Sequence, residues 1–198
     1  MSISKRQQEE RKDRKEKILN GALDVFKKHG IENSTMEEIA LNAGFGTATI
    51  YYYFHSKEEI FSEILINGWQ NLWKKIEPIV AIKYNSPRKV FVDVLLTISK
   101  IIRNNTSMYN FLFNVPNQMN FNNEPWKKYQ NKLYQTLIAL LKESIDKGEF
   151  PPIDHNILFK ALGGLFMGVV LMGNQNKPIS GVDIDKLIEQ IISNPTEN

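Results

Sequence analysis

The sequence contains no cysteine among its 198 residues. Disulfides, thiolate metal sites and cysteine nucleophiles are therefore excluded, and the composition suits a reducing cytosol. Histidine is scarce: His29, His55 and His155 are scattered, and no carboxylate pair stands at a spacing that suggests acid–base chemistry. Neither a catalytic centre, nor a metal site, nor a cofactor is expected. Long apolar runs are also missing. The longest, Ala161 to Gly173, rises only about 20 Å as a helix, against a hydrocarbon layer of about 30 Å, and reads as a buried helix. Met1 leads into Ser, Lys, Arg and Gln with no apolar stretch behind them. No secretory signal and no membrane partner are expected, and a cytoplasmic location is.

A strong excess of charge is lacking as well. The net charge is +3, and residues 1–60 carry ten Lys/Arg against ten Asp/Glu. Only the stretch through Lys17, with seven basic residues against four acidic, forms a candidate phosphate-binding arm. A solvated helix face is the plain alternative. Bulk charge therefore decides nothing about nucleic acid, and any such argument must come from a motif.

What the sequence has in quantity is helical periodicity. Strand-like alternation is scarce, so the fold class is all-α. Residues 8–29 read as one helix, with Ile18, Leu19, Ala22, Leu23 and Phe26 on one face; Gly30 suits the left-handed position beyond it. Thr35 and Glu38 form a capping-box pattern that opens a second helix, and Gly44-Phe45-Gly46 breaks it after barely two turns. A third helix spans about Thr47 to Phe54. Ser56 and Glu59 repeat the capping pattern before a long fourth helix that should end near Glu77, ahead of Pro78. Pro87 suits the first turn of a helix over Val90–Arg103. Residues 106–125 are ambiguous. Trp126 to Lys147 is amphipathic and stops at Gly148, Asp154 can cap a helix over about 155–173, and a last helix is expected over about 182–193.

The informative unit is the run from Thr35 to Phe54: a short helix, a glycine turn and a second short helix whose outer positions carry Thr and Tyr. Ala40 is small enough to let the two helices approach. A helix of this kind fits the major groove, where the hydroxyls of Thr47, Thr49, Tyr51 and Tyr52 are suitable donors to base edges and phosphates. Lys57 adds a positive charge beside the free amides that open the next helix. Tyr53 reads equally as a contact or as a packing aromatic.

The stretch from about Ile18 to Phe61 resembles the DNA-binding domain of TetR/AcrR-family transcriptional regulators. The residues that carry the resemblance are Thr35, Ile39-Ala40, Ala43-Gly44, Thr49-Ile50-Tyr51-Tyr52-Tyr53-Phe54 and Ser56-Lys57-Glu58-Glu59. The likeness implies an N-terminal three-helix helix-turn-helix domain over residues 1–60. A helical effector-binding and dimerisation domain would follow over 61–198. It further implies that Thr35, Gly46, Thr47, Ala48, Tyr51, Tyr52, Tyr53 and Lys57 stand where relatives touch DNA. Ile18, Ala22, Phe26, Ile39, Ile50 and Phe54 would form the small core. Gly46-Thr47-Ala48 departs from the Ser-Lys-Gly frequent in the family at the start of the recognition helix. The base read there does not carry over.

By the same resemblance the partners are a palindromic double-stranded operator, a second copy of the chain and a small effector, with repression as the commonest outcome. Ala161, Gly164 and Gly168 form a small-residue stripe beside Leu165. Leu187, Ile188 and Ile191 lie on the last expected helix, and together these suit a homodimer interface. For a pocket the candidates are Trp69, Trp73, Met108 and Phe111, with Asn114 as a polar handle, followed by Trp126, Tyr129 and Met167. Phe113 and Tyr134 belong to the same aromatic set. With no acid dedicated to a cation, an apolar or aromatic compound is preferred. Two alternatives stay open: a DNA-binding adaptor without an effector, and a helical protein that binds no DNA.

Overall fold

The computed structural model describes residues 4–113, 125–171 and 186. Those residues form eight helices and no strand, so the all-α class holds. They divide into two compact units. The first runs through Gly68 and takes in Pro125 and Trp126; the second holds Trp69–Phe113 and the residues from Lys127 onward.

The first unit begins with α1, Lys5–His29. It starts three residues earlier than the apolar periodicity suggests, because Ser4 caps it. The Ser4 hydroxyl accepts from the Gln7 amide at 3.3 Å while the Gln7 side chain accepts from the Ser4 amide at 3.0 Å. Gly30 ends the helix at φ 74° and ψ 163°. That is a glycine-only extended conformation rather than the left-handed helical one expected. Then come α2, Met36–Ala43, and α3, Thr47–Tyr53. Ile18, Ala22, Phe26, Ile39, Ala40, Ile50 and Phe54 are all at most 2 % exposed, so α1, α2 and α3 close around one core. Phe61, from the start of the next helix, meets Phe26 edge to face at 5.8 Å.

The closest approach in this unit involves a residue the periodicity does not single out. A Cβ added to Gly21 would stand 2.8 Å from the Cα and Cβ of Ala43 and 2.9 Å from its backbone nitrogen. Two helix backbones meet there with no room for a methyl group. Asn42 secures the contact, its amide donating to the Gly21 carbonyl at 2.9 Å.

The fourth helix, α4 over Lys57–Ala81, passes through Pro78 instead of stopping at Glu77. Proline there removes only the bond to the Lys74 carbonyl. Both Lys74 and Pro78 are exposed, so water can take that acceptor. The segment from Trp69 onward belongs to the second unit with α5, Pro87–Asn104, α6, Thr106–Phe113, α7, Lys127–Asp146, and α8, His155–Leu171. The ambiguous stretch thus opens as a helix, while residues 114–124 lie outside the described set, as does the expected helix over 182–193 apart from Lys186. α5 packs on α7 and α8, and α7 on α8. Val94, Ile98 and Ile102 of α5 and Leu133, Leu140 and Leu141 of α7 supply the buried centre. Gly148, at φ 70°, closes α7, and the Asp154 carboxylate caps α8 by accepting from the Asn156 and Ile157 amides at 2.9 Å each.

Two stability predictions follow from this packing. Gly21→Ala gains about 1 kcal/mol of helix propensity but drives a methyl group into backbone that cannot swing aside. A net loss of about 1–2 kcal/mol is expected, read as a lower urea midpoint by circular dichroism. At the head of α2 the Glu38 carboxylate accepts from the Thr35 amide at 2.9 Å and from its hydroxyl at 3.1 Å. These bonds hold its pKa below the ordinary 4.5. A lowered folded pKa means the stabilisation is present above 4.5 and is lost as pH falls through the folded value. Glu38→Gln should lower the thermal midpoint at neutral pH, and the gap should close on acidification below 4.5.

Candidate nucleic-acid interface and internal cavity

A seven-residue helix cannot hold itself in water, so the placement of α3 depends on what surrounds it. Three features place it. The end of α2 is a Schellman turn: Gly44, at φ 73° and ψ 32°, donates to the Leu41 carbonyl at 3.2 Å, and the Phe45 amide reaches the Ala40 carbonyl at 2.9 Å. Gly46 is the N-cap of α3 without a side-chain bond, its carbonyl accepting from the Thr49 amide at 2.9 Å and the Ile50 amide at 3.3 Å. Ile50 then anchors the helix, fully buried.

That anchoring turns the remaining face outward. Gly46 and Ala48 are exposed, Thr47, Thr49 and Tyr53 are half-buried, and Tyr51 and Tyr52 stand 47 % and 70 % exposed. Thr35, exposed at the head of α2, has its hydroxyl engaged with Glu38. Five side-chain hydroxyls of the motif therefore lie on α3 within two turns: those of Thr47, Thr49, Tyr51, Tyr52 and Tyr53. They form a polar, nearly charge-free edge.

The basic arm is used differently from a simple phosphate patch. The Arg11 guanidinium lies 5.9 Å from the centroid of the Tyr52 ring and 6.0 Å from that of Tyr53, and the two rings meet edge to face at 5.2 Å. Lys15 pairs with Glu63 at 2.7 Å and lies 5.4 Å from the Phe54 centroid, while Arg6 pairs with Glu10 at 3.1 Å. Arg11 and Lys15 therefore brace the recognition helix from within the unit. Lys5, Lys12, Arg14 and Lys17 are left without an ion pair among the described residues. Lys57 is likewise drawn inward: its ammonium donates to the Glu32 and Ser34 carbonyls, each at 2.8 Å. It ties the loop between α1 and α2 to the head of α4, and one of its three donors is left for a phosphate. The second capping pattern is also modified, since the Glu59 carboxylate accepts from the His55 amide at 2.6 Å while the Ser56 hydroxyl accepts from the Glu59 amide at 3.2 Å.

Within the second unit, α5, α6, α7 and α8 line an open cavity of about 330 Å3. Its wall includes Phe91 and Leu95 of α5, Phe113 of α6, Tyr134 of α7, and Phe159 and Met167 of α8. Of the pocket residues proposed from sequence only Met167 faces it, joined by Phe113 and Tyr134 from the wider aromatic set. Trp69 instead packs edge to face behind the wall, 5.3 Å from Phe113 and 6.0 Å from Tyr134. Trp73 lies under the Lys132 ammonium at 4.4 Å, and Trp126 groups with the first unit. Met108, Phe111 and Tyr129 are half-buried away from the cavity, and Asn114 lies outside the described residues. Aromatic content alone therefore does not say which side of a helix lines this cavity.

Of the stripe suggested as a dimer surface, Ala161, Gly164 and Leu165 are exposed and Gly168 is half-buried. Gly164 also borders the cavity. Leu187, Ile188 and Ile191 lie outside the described residues. The sequence reading also missed Lys160, which lines the cavity. Its signal was visible, because it is the single charge between His155 and Leu171.

Residues 18–64 match the family described as bacterial regulatory proteins, tetR family. Over 91 % of its length the chain is 27 % identical to the HTH-type transcriptional regulator QacR of Staphylococcus aureus, covering 96 % of that protein. It is 28 % identical to the uncharacterised HTH-type regulator YfiR of Bacillus subtilis over 73 % of this chain and 72 % of that one. The fold is shared with the Bacillus subtilis regulator FadR solved with stearoyl-CoA, at a TM-score of 0.67 and 19 % identity over 89 % of this chain and 97 % of that one. The chain thus belongs to the TetR family of DNA-binding transcriptional regulators.

Proposed function

We propose that this regulator is a ligand-responsive repressor that binds a palindromic operator as a homodimer and is released by a small effector. The observation that carries the reading is the exposed hydroxyl edge of α3 on a closed three-helix core, in a chain whose other unit has an open apolar cavity. In the proposed complex α3 enters the major groove. The backbone around Gly46 and Ala48 approaches the DNA closely, Thr47, Thr49 and Tyr51 meet bases or phosphates, and Tyr52 and Tyr53 act as a pair held by Arg11. Thr35 and Lys57 flank the groove as phosphate contacts, with Lys57 acting mainly through the loop it fixes.

Dimer symmetry would set two such helices one turn of DNA apart, about 34 Å. The exposed face of α8 supports a self-association surface there. Ile157 and Leu165 are 60 % and 40 % exposed with Ala161 and Gly164 between them, an apolar face that a second copy could cover. The small residues would let two copies of the helix approach closely.

The cavity supports an effector. A ligand that binds more tightly to a conformation with α4 displaced would pull the two heads out of register; a ligand without that preference would shift nothing. The adaptor alternative calls for a filled core, and the open cavity favours the effector reading over it. Action on DNA supports a cytoplasmic location, and no catalytic step is assigned. No helix among the described residues is long and apolar enough to cross a membrane.

Selection of bound sequences from random duplex DNA should enrich a palindrome; enrichment of a non-symmetric site would defeat the homodimer reading, and no enrichment would defeat operator binding. Against the selected site, Tyr51→Phe should weaken binding about three- to tenfold, the loss of one hydrogen bond. Its sedimentation should match that of the parent. Unchanged affinity would remove the Tyr51 hydroxyl from the interface.

A further inference from the structure

The cavity of the second unit has a wall that says more than that its ligand is apolar. Carbon dominates it, with Phe91, Leu95, Ile98, Leu137 and Phe166 among its residues. Two residues with polar side chains, Lys160 and Tyr134, are among its described lining residues. No carboxylate is among the described lining residues. Lys160 is exposed while its neighbours Leu158 and Leu162 are buried, so its charge belongs to the mouth of the cavity and its stem to the wall. It makes no ion pair or hydrogen bond among the described residues, and neither does the Tyr134 hydroxyl. Burial pushes the Tyr134 phenol up from its ordinary value, so it stays protonated and offers a donor.

Size narrows the ligand further. At about 30 Å3 per heavy atom, the share of one water molecule, a volume of about 330 Å3 holds roughly eleven heavy atoms. That is the size of a medium-length alkyl chain with its head group.

We propose that this cavity binds a medium-chain aliphatic carboxylate, its chain against the aromatic and leucine wall and its carboxylate at Lys160 and the Tyr134 hydroxyl. The inference rests on the reading of the cavity as the effector site and adds the charge and shape of what enters it. The five aromatic side chains of the wall, Phe91, Phe113, Tyr134, Phe159 and Phe166, could also face a quaternary ammonium. Without a carboxylate to neutralise that cation, and with Lys160 repelling it, the anion is favoured.

The test is calorimetric titration of the full-length protein with decanoate, decanol, decyltrimethylammonium and decanoyl-CoA. Decanoate should bind about tenfold more tightly than decanol, the worth of one charge-assisted hydrogen bond, and the margin should shrink as salt rises. Lys160→Gln should erase the margin by weakening decanoate far more than decanol, and Tyr134→Phe should reduce it by a smaller factor. A Cβ at Gly163 meets nothing within 4 Å, so Gly163→Leu should fold, extend its side chain into the cavity and block every chain-bearing ligand. Decanol or decyltrimethylammonium binding as well as decanoate would overturn the proposal and leave the cavity as an effector site for another ligand. Decanoyl-CoA binding where decanoate does not would overturn the free carboxylate in favour of a thioester, and silence from all four ligands would overturn it outright. Decanoate that binds as expected but leaves operator affinity unchanged would uphold this inference and sink the effector reading on which it rests.

Discussion

The contact between Gly21 on α1 and Ala43 at the end of α2 is the constraint on which the DNA-reading head depends. With the two backbones this close, α2 ends at a defined height on α1, and the Schellman turn at Gly44 starts from there. The turn sets where α3 begins, and Ile50, fully buried, sets its rotation. α3 has too few residues to be stable alone, so the direction of its tyrosines is a property of the packing beneath it. Its affinity for a helical state contributes little.

Electrostatics in this head are local, not global. Residues 1–60 are balanced in charge, and three of the basic residues that a charge count would assign to DNA already contact groups of the protein. Arg11 lies against the two tyrosines, Lys15 pairs with Glu63, and Lys57 holds two loop carbonyls. Contacts of this kind restrict the side chains around α3, and under the proposed operator binding they would lower the ordering cost of association. In the second unit the charge at the apolar cavity is equally local: Lys160 lines it and makes no ion pair among the described residues.

Much of the architecture was legible because helix boundaries depend on short-range chemistry. The Thr35–Glu38 box, the Gly44 turn, the Pro87 start and the Gly148 stop each depend on residues within a few positions of one another, and the structure has each where the pattern suggests. The core of the head was legible through family resemblance, and the six residues it implies are buried. Where local rules compete with exposure they misled. Pro78 did not end α4, since the carbonyl it orphans faces water, and Gly30 took an extended glycine conformation instead of the helical one.

The sequence by itself determined the all-α class, most of the described helices and the helix-turn-helix segment, since all three depend on periodicity, capping and a motif readable along the chain. Only the tertiary structure decided which residues of the second unit face its cavity. Trp69 and Tyr134 look alike as candidates, yet one lies behind the wall and the other lines it, because the rotation of each helix is set by neighbours far away in sequence. The same holds for charge: whether a lysine is a phosphate contact, a loop clamp or part of a cavity wall depends on what stands opposite it in space. Lys57 and Lys160 differ for that reason alone.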